Sequence, residues 1–267
     1  MLKAPASCEI AVERWRDGVV ERTTDLVADE QPVALTYHGV PHVVMLATPG
    51  DLEDLAVGFT LSESIVASPA EIRSVEALRA EDGTLEVRIG IARERFSELL
   101  RRQRNLTGRT GCGLCGAETV EDAIRNPPPV GAGVTVSARE LHAVLAELRS
   151  RQPINAETGS VHAAAWVLPG RGIELVREDV GRHNALDKAI GAVVRSQGDF
   201  GQGYFVVTSR ASYEMVQKTV TLGATLLVAV SAPTAFAVRL AQASGLTLVG
   251  FAREHSHVVY AHPRRVT

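Results

Sequence analysis

From residue 137 to the end of the chain, short apolar segments alternate with amphipathic segments, and this alternation restricts the folds open to the chain. The apolar segments have the length of strands and are residues 163–168, 173–176, 204–208, 226–230, 246–250 and 257–260. Helical spacing is found at 182–195, 213–222 and 234–243, and Ser137 with Glu140 forms a capping box that begins a further helix. This pattern indicates an α/β fold with a largely parallel sheet.

The first half of the chain has the pattern of a smaller, mixed α/β unit. Residues 32–37 and 42–47 are β-branched, apolar runs on either side of a hairpin-like turn, and residues 84–91 alternate between apolar and polar like a half-buried strand. Helical spacing appears after Asp51, and the charged segment 93–104 carries a single apolar stripe.

A run of three prolines after Asn126 stops any helix and marks the best boundary in the chain. The sequence therefore predicts an N-terminal α/β subdomain over residues 8–126 and a second α/β domain over residues 134–265.

Composition excludes several classes of protein. The 267 residues are 45% hydrophobic, which is the globular range, and a net charge of −3 argues against a globally basic nucleic-acid binder. The apolar runs are too short to cross a membrane, and no signal peptide is found at the start of the sequence. Three cysteines do not make a disulfide scaffold, so a cytoplasmic protein with reduced thiols is expected.

Polar residues follow the predicted strands of the second half. They include the segments 177–184, 209–210, 231–234 and 251–255, of which three contain arginine. Ligands of open α/β sheets bind beyond the carboxyl ends of the strands, and arginines beside helix starts suit an anion such as phosphate. Ordinary helix caps and surface charges are the competing explanation for each segment alone. No glycine-rich dinucleotide motif or P-loop is found in the sequence.

Cys112 and Cys115 form a C-x-x-C pair in a loop with four glycines in the nine residues 108–116. A structural zinc site would need two more ligands, and a thioredoxin-like pair would open a helix, so both interpretations fit poorly. A nucleophilic or sulfur-carrying thiol needs a stabilised thiolate. Six arginines between positions 93 and 109 face two glutamates, an excess that favours the thiolate, although a solvated helix face explains them equally.

Zinc-deaminase chemistry is excluded, because no histidine is followed two residues later by glutamate and Cys112 follows a glycine. His162 and the group Glu178, Asp179 and His183 remain candidates for a base, a ligand contact or buried residues satisfied by backbone groups.

The sequence resembles the formate dehydrogenase accessory sulfurtransferase family. The matching segments are Gly111-Cys-Gly-Leu-Cys-Gly116, residues 158–164, the long run 177–188 (REDVGRHNALDK), residues 48–59 and residues 231–235. They span nearly the whole chain in the right order.

The resemblance implies a cytidine-deaminase-like α/β fold without zinc for the C-terminal domain, and a flexible C-x-x-C loop beside it. It implies that Cys112 accepts sulfur from a cysteine desulfurase as a persulfide, with Cys115 as its partner. The sulfur would pass to the molybdenum, or tungsten, of the bis(guanine dinucleotide) cofactor, which serves formate dehydrogenase as a bound substrate of this protein. No resident metal, nucleic acid or membrane is expected, and a homodimer is expected by analogy with the fold class.

The family's cofactor-binding stretch maps onto six consecutive residues near the C-terminus. These residues are Phe251, Ala252, Arg253, Glu254, His255 and Ser256. Positions 254–256 depart from the run expected in many members. The strand-end argument adds Ser209, Arg210 and Asp179 as further candidates, and His162, just before a predicted strand, is the fourth. A cofactor-binding chaperone without sulfur chemistry is the alternative function.

Overall fold

A computed structural model describes residues 5–80, 82–105 and 127–267 of the chain. The strands of its first half are β1 (Ser7–Arg16), β2 (Val19–Ala28), β3 (Gln31–Tyr37), β4 (Val40–Ala47), β5 (Ile72–Arg79) and β6 (Leu85–Ile91). Its first two helices are α1 (Leu52–Ser62) and α2 (Arg93–Asn105). The predicted hairpin, the alternating strand and both helices of this half are therefore confirmed.

In the second half, the helices are α3 (Ala138–Ser150), α4 (Pro153–Thr158), α5 (Arg182–Arg195), α6 (Tyr213–Thr221) and α7 (Ala235–Ser244). The strands are β7 (His162–Leu168), β8 (Gly172–Asp179), β9 (Tyr204–Val207), β10 (Leu226–Ala229), β11 (Thr247–Arg253) and β12 (Ser256–Ala261). The α/β class is confirmed, and so is the cap at Ser137, whose hydroxyl accepts a hydrogen bond from the Glu140 amide at 3.1 Å. The predicted domain limits and the likeness to cytidine deaminases stay predictions.

Six strands form the larger sheet in the order β12-β11-β10-β9-β7-β8. Strands β9, β10 and β11 are parallel, but β7 runs antiparallel to both β8 and β9, and β12 runs antiparallel to β11. The expectation of a largely parallel sheet was therefore wrong. Short connections explain the difference, because β7–β8 and β11–β12 are joined by tight turns that permit only antiparallel pairing.

The larger sheet is covered on both faces. Apolar side chains of α5, α6 and α7 pack against one face, and Leu141, Val144, Leu145 and Leu148 of α3 pack against the other. This two-sided burial explains why β9 and β10 read as continuous apolar runs.

The smaller sheet has the order β4-β3-β6-β5 and is covered by α1. Leu85, Val87, Ile89 and Ile91 of β6 point inward and are almost fully buried, as the alternation in the sequence predicts.

Helices α1 and α5 join the two halves through glycines. A Cβ atom at Gly58 would lie 1.7 Å from the carbonyl oxygen of Asp187, and one at Gly191 would lie 1.9 Å from that of Asp54. The backbones therefore touch, and any larger side chain would force the helices apart.

Strands β1 and β2 form a separate two-stranded hairpin that the sequence analysis did not predict. Its turn, Asp17-Gly18, has positive φ at both positions, which is the usual geometry of a two-residue hairpin. Its strands are largely exposed, and Trp15 keeps 71% of its surface in solvent. Among the described helices, none is long and apolar enough to cross a bilayer.

Candidate functional site

The carboxyl ends of β9, β10 and β11 meet at one edge of the larger sheet, because these three strands are parallel. The antiparallel β7 begins at the same edge with His162, which pairs with Asp179 at the end of β8. Four of the predicted site segments are thus brought together at this place, which we call the carboxyl edge: His162, Asp179, Ser209-Arg210 and the stretch that begins at Phe251.

Backbone hydrogen bonds connect the loops of the carboxyl edge. The Ser231 amide donates to the Ser209 carbonyl at 3.4 Å, and the Phe251 amide donates to the Ser231 carbonyl at 3.2 Å. The Thr234 amide donates to the Ala211 carbonyl at 3.0 Å. The loops after three neighbouring strands therefore form one connected surface.

Phe251 and Arg253 lie in an irregular part of β11. The pairing with β12 shifts register between Gly250 and Arg253, and Phe251 has a φ of 48°. A left-handed backbone is unusual for a bulky residue, and such strain is concentrated at functional sites. The ring of Phe251 is 46% exposed, and the Arg253 guanidinium donates to the carbonyl of Val230.

Of the rest of the predicted stretch, Ala252 belongs to β11, Glu254 and His255 form the turn, and Ser256 begins β12. Ala252 is buried, whereas His255 and Ser256 are exposed. Glu254 forms an ion pair with Arg149 of α3 at 3.7 Å. The sequence predicts a strand that ends at residue 250, but β11 continues to Arg253 and β12 begins at Ser256, so four of the six residues of the stretch are strand rather than loop.

Ser209 and Arg210 follow β9. Ser209 is 4% exposed and its hydroxyl donates to the Arg210 carbonyl at 3.1 Å, whereas the residue Arg210 is exposed. Contact of either residue with a cofactor stays a prediction.

Among the described residues, the Asp179 carboxylate contacts four groups of two chain segments. One carboxylate oxygen accepts from the Lys188 ammonium at 2.6 Å and the Thr48 amide at 3.1 Å. The other accepts from the Gly181 amide at 2.8 Å and the Asn184 side chain at 3.0 Å. Asp179 is fully buried. Through these four contacts its carboxylate holds residue 48 and residues 179–188 together.

Glu178 also holds backbone in place. Its carboxylate accepts from the amides of Ile154 and Asn155 at 3.0 and 2.8 Å, which anchors the first turn of α4. Burial raises the pKa of Glu178, although these two hydrogen bonds oppose the rise.

A second buried ion pair lies further along the same run of sequence. Asp187 contacts Lys218 at 2.9 Å and accepts from the Ser62 hydroxyl at 2.7 Å, while Lys218 also contacts Glu63. Burial by itself would lower the pKa of Lys218, but the carboxylates of Asp187 and Glu63 outweigh it and raise that pKa. The run 177–188 thus ties α5 to α1 and α6.

His162 lies in an electropositive part of the carboxyl edge. Burial lowers the pKa of His162, and the nearby charge of Arg182 lowers it further. A neutral imidazole at neutral pH follows, which suits a hydrogen-bonding contact with a ligand.

The sequence analysis did not identify Glu214. His183 and Glu214 lie at the starts of α5 and α6, with 2.8 Å between Nε2 and Oε2. The position of Glu214 four residues after Arg210 and beyond the end of β9 was the signal that could have found it.

Cys112 and Cys115 lie outside the described residues. Cys8 is an exposed residue of β1 and has a free thiol. In the described ranges, no group of three or more histidine, cysteine, aspartate or glutamate side chains could hold a metal ion.

The fold and the edge define an α/β protein with a polar surface at the ends of its parallel strands. A model of the FdhD/NarQ family matches residues 28–267, and the chain belongs to this family.

Curated relatives cover almost the same length. The chain is 51% identical to a sulfur carrier protein FdhD of Cupriavidus necator, over 98% of this chain and 91% of that protein. It is 50% identical to a sulfur carrier protein FdhD of Xanthomonas campestris, over 98% of this chain and 93% of that protein. A solved structure from Desulfotalea psychrophila, described as a formate dehydrogenase accessory protein, has a TM-score of 0.79 and 23% identity. That match covers 98% of this chain and 100% of the other, and it shows a shared fold.

Proposed function

We propose that this protein is a cytoplasmic sulfur carrier in the maturation of formate dehydrogenase. It takes sulfur from a cysteine desulfurase as a persulfide on Cys112 and passes it to the molybdenum, or tungsten, of a bis(guanine dinucleotide) cofactor. The cofactor is a bound substrate, and the carboxyl edge is its binding surface.

One structural observation carries the proposal: the parallel strands bring His162, Ser209-Arg210 and the strained stretch at Phe251 to one connected surface. Relatives that are about half identical over nearly the whole chain bear the name sulfur carrier protein. A polar edge with arginines beside helix starts suits the diphosphates of such a cofactor.

The sulfur chemistry needs two thiols. The Cys112 thiolate attacks the terminal sulfur of the donor's persulfide, so that a Cys112 persulfide forms and the donor leaves as a thiolate. Attack of the Cys115 thiolate on the inner sulfur then forms a Cys112–Cys115 disulfide and releases the outer sulfur as hydrosulfide, the form a metal accepts. A thiol reductant regenerates the pair.

Intact mass spectrometry of the full chain tests the proposal. After incubation with a cysteine desulfurase and cysteine, we expect a gain of one sulfur atom that is lost in Cys112→Ala. The Cys8→Ala variant is the matched control and should keep the gain.

A complementation experiment separates this function from that of a cofactor-binding chaperone. Cells that carry only the Cys112→Ala protein should lack formate dehydrogenase activity. Normal activity together with no mass gain on either cysteine would support the chaperone and contradict the sulfur carrier.

A further inference from the structure

His183 and Glu214 form a contact between the first turns of two helices at the carboxyl edge. Each is the second residue of its helix, and 2.8 Å separates the imidazole Nε2 from the carboxylate Oε2. Both side chains are about one-third exposed, at 33% and 29%, so solvent or a ligand can reach them.

The charges around this pair hold the carboxylate ionised. The contact with His183 lowers the pKa of Glu214, and the charges of Arg182 and Lys218 lower it further against the effect of burial. An ionised carboxylate at one ring nitrogen fixes the orientation of an imidazole and leaves the other nitrogen for a ligand.

Two buried polar atoms next to the pair have no hydrogen-bond partner among the described residues, and Nε2 of His183 meets Glu214 as an ion contact without hydrogen-bond geometry. They are Nε of Arg182 and Oγ of Ser212, the residues immediately before His183 and two before Glu214. Ser212 occupies the cap position of α6, yet its hydroxyl makes no capping bond. Buried donors without partners are rare in folded proteins and often mark a place where a ligand binds.

His183 also belongs to the surface already described. His162 at the start of β7 pairs with Asp179, four residues before His183, and the charges of Arg182 and His183 both act on His162. The Arg182 guanidinium of α5 and the Ser212 hydroxyl before α6 are donors of the kind that bind a phosphate group. His183 adds a third donor, Nδ1, in its doubly protonated form, because its Nε2 faces Glu214.

We propose that His183, oriented by Glu214, contacts a phosphate group of the ligand at the carboxyl edge. Glu214 is a positioning residue, since it acts through the imidazole. The inference rests on the proposed function, which supplies a ligand that carries diphosphates.

Calorimetric titration of the full chain with guanosine diphosphate and with guanosine tests this inference. His183→Gln should weaken binding of the diphosphate about tenfold, as expected when one hydrogen bond to a charged group is lost, and leave guanosine unaffected. Glu214→Ala should weaken it in the same selective way, and Glu214→Gln, which keeps a hydrogen-bonding side chain, should weaken it less. Glu174→Gln, at an exposed ion pair with Arg171, is the control and should bind like the wild type.

The outcomes separate the inference from the proposed function. If the wild type binds the diphosphate but His183→Gln and both Glu214 variants bind it equally well, the inference is wrong and the proposed function stands. Equal weakening toward the diphosphate and guanosine would show a merely structural role and also overturn it. If the wild type binds neither compound, both the inference and the proposed ligand fail.

Discussion

The junction between the two sheets, where α1 meets α5, and the carboxyl edge of the larger sheet differ in how their charged groups are paired. At the junction, Asp187 is buried and paired with Lys218, and Asp179 is buried and paired with Lys188 where the junction meets the carboxyl edge, each within 3 Å. At the edge, Arg210 is exposed, and buried polar atoms of Arg182 and Ser212 have no hydrogen-bond partner in the part of the chain that the structure describes. A buried charge whose hydrogen-bonding positions are all paired cannot also bind a ligand, whereas an unpaired donor can. The distinctive run 177–188 therefore contributes to both regions: Asp179, Asp187 and Lys188 pair with buried partners, and Arg182 and His183 lie at the edge.

The largest expected effect comes from breaking a buried pair at the junction. Lys218→Met leaves the carboxylate of Asp187 buried without its cation, and such a change costs about 3–5 kcal/mol of unfolding free energy. Urea denaturation of the purified protein measures it. The control is Arg171→Met, which breaks the exposed pair with Glu174 and should cost no more than about 1 kcal/mol. Equal losses in the two variants would contradict the assignment of the junction.

The next effect tests the contact between α1 and α5. Gly58→Ala places a Cβ atom against a backbone carbonyl, so the helices must separate, at a cost of about 1–3 kcal/mol. Gly50→Ala is the matched control, because its Cβ would meet nothing within 4 Å. Thermal unfolding measures the midpoint temperature of both variants. An unchanged midpoint for Gly58→Ala would contradict the close contact between the two helices.

A substitution at the carboxyl edge should change the affinity for a ligand rather than the stability of the protein. Arg210→Ala removes an exposed side chain, so its unfolding free energy should stay within about 0.5 kcal/mol of the wild type. Its affinity for guanosine diphosphate should nevertheless fall, as measured by calorimetry. A variant that loses stability but keeps the affinity would remove Arg210 from the binding surface.

The smallest expected effect is the pH dependence of the pair at the edge. The folded-state pKa of Glu214 is lowered, so its contribution to stability is fully present above the ordinary carboxylate pKa, about 4.3, and is lost as pH falls through the lowered value. The stability gap between wild type and Glu214→Gln should therefore narrow as pH falls below 4.3. Denaturant titrations at a series of pH values measure the gap, and a gap that widens toward acid would contradict the direction.

Much of the fold could be predicted from the sequence because burial leaves a periodic pattern. The continuous apolar runs of β9 and β10 and the alternation in β6 identified these strands. The direction of a strand leaves no such pattern in the sequence, which is why β7 was predicted as a strand but its antiparallel direction was not. The hairpin of β1 and β2 was missed because its strands are rich in charge, although the Asp17-Gly18 turn was visible in the sequence.

The candidate site could be predicted only in part. The sequence predicts Ser209, Arg210 and Phe251 at strand ends, and the structure places them at the same edge of the sheet, whereas their contact with a ligand stays a prediction. The role of Asp179 required its partners, since Thr48 lies 131 positions away in sequence. Glu214 was missed for the same reason, because its contact with His183 joins two helices whose packing no local pattern records.

Hydrogen–deuterium exchange of the full chain with and without guanosine diphosphate tests the division between junction and edge most directly. We predict slower exchange in the bound state at residues 208–214, 231–234 and 251–256, the loops of the carboxyl edge, with no change at residues 46–51 and 184–191 of the junction. Protection concentrated at the junction, with the edge unaffected, would contradict the account.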